Sequence, residues 1–223
     1  MGAEPILTWL DRLLASMTLL DGFLSVLALA VLTAIVLVSA DWRLTVAGLA
    51  GQSVILAGLA TRYLPLEWAF ARMIVGLLIA IMWLLSAWTS GWGRRPVRWL
   101  RWRWPLLSTR GLLRLVMVIL VAILLLSLRL RLPLPGLDGD LVFLSTWLIA
   151  MGLLTLALSE EPLTGGMGLI WWIEAFQLYY PALERDAMIE GTMGIVKLLI
   201  GLACAYLITV EGLRLDISPG EEW

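Results

Sequence analysis

The chain contains no histidine, a single cysteine and a single lysine. Without histidine it lacks the usual axial ligand of haem and the commonest ligand of zinc, which argues against a membrane cytochrome. The one cysteine, Cys204, lies inside an apolar run, so neither a disulfide framework nor a cysteine metal site can be built within the chain. Charge is also sparse: 15% of the 223 residues are charged and 61% are hydrophobic, with a mean hydropathy of +0.93. Soluble chains are about a quarter charged and about half apolar, so an ordinary soluble domain is excluded and a bilayer is the expected solvent. The formal net charge of −1 identifies no partner, because the charges are segregated along the chain.

What fills the sequence instead is a series of apolar runs near the twenty residues needed to cross about 30 Å of hydrocarbon. They fall at about 22–40, 44–61, 67–89, 111–128, 139–158, 164–181 and 189–210, predicting an all-α membrane protein with seven transmembrane helices. Before the first, Ile6, Leu10, Leu13, Leu14 and Met17 share one helical face, the pattern of an interfacial helix or of an extension of the first span. VSA followed by Asp41 resembles a signal cleavage site, but Glu4, Asp11 and Asp21 outnumber Arg12 upstream. Signal peptides carry a basic n-region, so residues 22–40 are read as a retained helix.

Orientation follows from residues 91–110, which hold six arginines and no acid. The positive-inside bias makes this loop cytoplasmic, so seven spans put the N-terminus outside and the C-terminus inside. Trp92, Trp99, Trp102 and Trp104 interleave with those arginines. We read them as residents of the headgroup layer beside anionic lipid, with no nucleic acid as partner.

Two segments repeat. ARMIVGLLIAIM (71–82) aligns with VKLLIGLACAYL (196–207) at an offset of 125, matching Arg72 to Lys197, Gly76 to Gly201 and Ala80 to Ala205. LTVAGLAGQ from Leu44 matches LTGGMGLIWWIE from Leu163 at an offset of 119. The expected plan is therefore a 3+1+3 parallel repeat. Residues 1–90 form the first triplet with its interfacial segment, 91–135 the basic loop and linker helix, and 136–223 the second triplet and tail.

Nearly all charged residues fall in loops or at span ends; Glu174, Lys197 and, less deeply, Arg72 do not, and Glu190 lies at the outer edge of the last span. Ionisable groups at bilayer depth cost roughly 2.5–3.5 kcal/mol on insertion scales and therefore usually face protein or water. Glu174 and Lys197 lie at matching depths of about 10 and 12 Å on antiparallel neighbours, so the two groups could face each other at one level, as a pair that the sequence alone does not fix. Gln177 shares the face of Glu174, and Gly194 and Gly201 flank Lys197 as sites of close helix approach. Gln52 sits near the depth of Glu174 but cannot titrate, and Arg72 is shallow enough to snorkel. Ala47, Gly48, Gly51, Ala57 and Gly58 give the second span a close-packing face.

WWIEAFQLYY (171–180) and VKLLIGLA (196–203) resemble the second and third helices of the K-type subunit of complex I and of the C-type subunit of multisubunit cation/proton antiporters. Glu174 takes the position of the family's glutamate, and Lys197 stands where the family has another glutamate. At full length the chain resembles the E-type membrane component of hydrogenase-4-like complexes. The resemblance implies a non-catalytic subunit of a proton- or sodium-translocating complex in a bacterial cell membrane. Such a subunit binds no redox cofactor itself and packs against antiporter-like subunits and lipid. Glu174, Lys197, Gln177, Arg72 and Gln52 are then the candidate ion-path residues. Two alternatives stand beside it: a scaffold subunit of a respiratory or photosynthetic assembly, and a small independent transporter. Against the latter, no Pro/Gly-broken helix pair recurs in corresponding halves.

Overall fold

The computed structural model describes residues 23–39, 41–91, 109–128, 139–183 and 187–217. The interfacial segment expected before residue 22, and Trp92, Trp99, Trp102 and Trp104, lie outside the described residues. Seven helices and no strand occur among the described residues: α1 (Phe23–Ser39), α2 (Trp42–Ala60), α3 (Leu66–Thr89), α4 (Thr109–Leu128), α5 (Gly139–Ala157), α6 (Pro162–Leu183) and α7 (Ala187–Ile217). Their ends follow from local chemistry. Asp41 caps α2, its carboxylate accepting from the Arg43 N–H at 2.9 Å. Pro162 opens α6, where its missing N–H is not needed, and Gly91 closes α3 at a φ of +74° that other residues rarely adopt.

Five of the helices, α2, α3, α4, α5 and α7, are long and apolar enough to cross a membrane. The described part of α1 is 17 residues, just short of that length. The 22-residue α6 is long enough but less apolar, because it carries Glu174 and Gln177. Its surroundings account for this: α5, α7 and α2 all pack on it, so its polar groups face protein.

The helices form two rows. α1, α2 and α3 pack in order, as do α5, α6 and α7, and α1 touches α5, α2 touches α6 and α3 touches α7. α4 lies outside the rows, against α1 and α5. Its N-terminus is held at the turn between α5 and α6 by Arg110, 2.7 Å from Glu160, and by Arg114, which donates to the Leu158 carbonyl at 3.4 Å. Consecutive helices run antiparallel, whereas α3 and α7 run parallel: Gly201 packs on Ile79 and Gly212 on Ser90, both at a sequence offset of 122. One end of the bundle thus carries the turn 61–65, the C-terminus of α6 and the N-terminus of α7, and the other is the end at which residues 90–108 join α3 to α4.

Small residues set the spacing. Gly48 and Gly51 meet Val36 and Leu32 of α1, and Gly152 and Gly168 bring the α5 and α6 backbones together. Ala57 and Gly58 are buried as well. Ala47, however, is exposed on the outer side of α2 and is no part of the packed face. The pairing expected at Lys197 also divides: a Cβ on Gly201 would lie 2.8 Å from Ile79, while one on Gly194 would meet nothing within 4 Å. Gly201→Ala is therefore expected to destabilise the bundle by about 1–3 kcal/mol through overpacking. Gly194→Ala should gain about 0.5–1 kcal/mol by removing helical glycine. Unfolding of both variants in mixed micelles, followed by circular dichroism, checks the opposite signs.

Candidate functional site

Three helices converge on one carboxylate. Glu174 on α6 receives Lys197 Nζ of α7 on Oε1 at 2.5 Å and Arg72 Nη2 of α3 on Oε2 at 2.7 Å. Arg72 Nε also donates to Oε2, at 3.2 Å. All three side chains are buried; Lys197 is 1% exposed and ranks among the largest fully enclosed side chains. The pairing of Glu174 with Lys197, which the sequence leaves open, agrees with their matching depths. The placement of Arg72 differs from the expected one: it does not snorkel but turns inward and spans the gap between the rows.

Pro181 accounts for the difference. A helical carbonyl at position 177 would accept from the N–H at position 181, but proline has none and its ring crowds that carbonyl. Arg72 Nη1 supplies the missing donor, reaching the Gln177 carbonyl at 3.3 Å, and Nη2 reaches the Glu174 carbonyl at 3.3 Å. The guanidinium is thus held by a carboxylate and two carbonyls of one helix, a set of acceptors the headgroup layer would have to match.

Gln177 extends the cluster toward the end that carries the 61–65 turn. Its Nε2 donates to Glu190 Oε1 at 3.0 Å, and its own Oε1 is buried with no hydrogen-bond partner. Glu190, only 6% exposed, is also a member of the cluster, although its place at the outer edge of the last span gives no sign of it in the sequence. Counted from the helix ends, Glu190, Arg72, Glu174 and Lys197 lie about 5, 9, 13 and 15 Å inside. The four ionisable groups are two acids and two bases, so the fully ionised cluster is formally neutral.

Gln52 stands apart from this group. Its Oε1 accepts from the Trp171 indole at 2.8 Å, and its Nε2 has no partner. Trp171 precedes Glu174 by three residues on α6, so Gln52 is linked to the cluster only through that ring. Beyond Trp171, a cavity of about 10 Å³ opens toward the 90–108 end, lined by Thr45, Thr155, Thr164, Arg114 and Met167 among others. That volume is close to the minimum for one water. Between α3 and α7, Trp83 is fully buried and donates to the Gly201 carbonyl at 2.9 Å, closing that side below Lys197. No family model, no curated protein and no solved structure matches the chain, so the site stands on its own geometry.

Proposed function

We propose that this chain is a membrane subunit of a multisubunit ion-translocating complex, and that Glu174, Lys197, Arg72, Gln177 and Glu190 form one half of a proton or sodium path. The observation that carries the reading is the doubly bridged Glu174, deep in the bundle, with Gln177 about one turn nearer the helix end and bonded to Glu190. Arginine stays protonated in proteins, so Arg72 acts as the fixed cation on one oxygen. Lysine can give up its proton, and Lys197 is hydrogen-bonded directly to the other oxygen. A proton can pass along that bond to leave an amine and a carboxylic acid, while Arg72 holds the carboxyl group in place. Glu190 and the unpartnered Oε1 of Gln177 then supply acceptors toward the near end.

The reading places the arginine-rich loop in the cytoplasm, so the Glu190 end of the path faces outward. Packing of α1 on α5, α2 on α6 and α3 on α7 supports the 3+1+3 repeat with α4 as linker. The resemblance of residues 139–210 to K-type and C-type subunits supports antiporter-like partners in a bacterial cell membrane. The competing structural reading rests on a specific observation: both oxygens of Glu174 are already occupied, as in a clamp.

Lys197→Arg separates the two. It keeps the cation but removes the exchangeable proton, so ion movement in membrane vesicles should fall on the order of a hundredfold, the scale of a lost proton-transfer group. Assembly should remain intact. Unchanged proton and sodium movement in a normally assembled complex would leave the clamp as the role of the cluster.

A further inference from the structure

The outer side of α2 and α3 carries an open groove of about 590 Å³. From α2 come Trp42, Arg43, Val46, Ala47 and Ala50; from α3 come Leu77, Ala80, Ile81, Leu84 and Trp88. The alanines hollow it out, which gives exposed Ala47 a reason to be small without a packed helix beside it. Leu84, Ile81 and Trp88 stand up as the rim, at 40, 51 and 70% exposed.

We propose that this groove binds one anionic phospholipid from the leaflet on the arginine-rich side, with its headgroup at Arg43 and an acyl chain along the alanine floor. Three observations fix the occupant. The first is length. From Trp88 to Leu77 the groove runs about 16 Å, half of the roughly 30 Å hydrocarbon layer, which is the depth of one leaflet. A partner transmembrane helix would need a groove along the whole bundle. The second is charge at one end only. Arg43 is exposed at the mouth, with its guanidinium 5.3 Å from the Trp42 ring centroid, and among the described residues no carboxylate pairs with it. Asp41, the nearest acid in sequence, turns its Oδ1 to the backbone N–H of Arg43 rather than to the guanidinium. The third is level: Trp42 opens α2 and Trp88 nearly closes α3, so both indoles lie beside Arg43 at the end where the basic residues 91–110 begin. An arginine between two tryptophans at a helix end is the chemistry of the headgroup layer. The same positive charge disfavours the arginine-rich loop itself as occupant.

Native mass spectrometry of the full chain, released from micelles doped with phosphatidylglycerol or phosphatidylcholine of identical chains, tests this. One phosphatidylglycerol should be retained about fivefold better than phosphatidylcholine, the ratio expected from one basic residue near an anionic surface. Arg43→Gln should abolish that preference without lowering phosphatidylcholine retention. Ala47→Trp should reduce retention of both lipids by filling the floor. Circular dichroism checks that each variant is folded, and Val31→Trp, on the exposed side of α1, serves as a bulk control for Ala47→Trp. Equal retention of the two lipids by the parent chain overturns the proposal. So does a preference that survives Arg43→Gln, or lipid retention that ignores Ala47→Trp, as it would with the groove filled by another part of the chain.

Discussion

Glu174→Gln is expected to cost about 3–5 kcal/mol, the range for removing one partner of a buried ion pair. The amide that replaces the carboxylate leaves two buried cations, Lys197 and Arg72, with only Glu190 to balance them. Removing one cation as well should recover part of the loss, because Glu174→Gln with Lys197→Met leaves one base against one acid. The measurement is unfolding in mixed micelles for the parent, both single variants and the double variant, closed as a thermodynamic cycle. A Glu174→Gln loss below about 1 kcal/mol would falsify the picture of a desolvated cluster, since that is the scale of solvent-exposed pairs.

Arg72→Met should be comparably damaging, about 3–5 kcal/mol, although Glu174 still keeps Lys197. The distinctive part of that loss is the Gln177 carbonyl, which has no helical donor because residue 181 is proline. Pro181→Ala supplies the missing N–H. Its helix-propensity gain is common to both backgrounds, but in Arg72→Met it should recover an additional 0.5–1.5 kcal/mol, about one hydrogen bond. The coupling between the two substitutions is therefore the quantity to read. Zero coupling would mean that the Gln177 carbonyl contributes nothing to holding Arg72.

The sequence made the helices easy to find, because a twenty-residue apolar run has few ways to satisfy its backbone except as a helix. Glu174 and Lys197 were legible for a related reason: a charge within such a run needs a partner, and the short connection between α6 and α7 left few candidates. By its depth on its own helix Arg72 is shallow enough to snorkel. What draws it inward is on another helix, 102 to 105 residues away: a carboxylate and two carbonyls, one of them freed by a proline. A sequence signal for this did exist, since Pro181 follows Gln177 by four residues. It becomes informative only when the segment is known to continue as helix through the proline. Gln52 was placed at the right depth, but a glutamine does not announce whether it will face a carboxylate or an indole. Ala47 was misplaced for a simpler cause. Small residues serve equally to admit a neighbouring helix or to hollow out a surface, and spacing alone does not distinguish these.

The separation of Arg72 from its acceptors has a bearing on how the chain is made. Arg72 is synthesised 102 residues before Glu174. During that interval Arg72 has no carboxylate to meet, and the cheapest position for its guanidinium is the nearby headgroup layer. Snorkelling is thus the state expected of the nascent chain, and the inward turn awaits α6. The arginine would then act as a timer: the first three helices are made incomplete, and Arg72 is withdrawn from the interface only when Glu174 and Gln177 of α6 arrive to receive it.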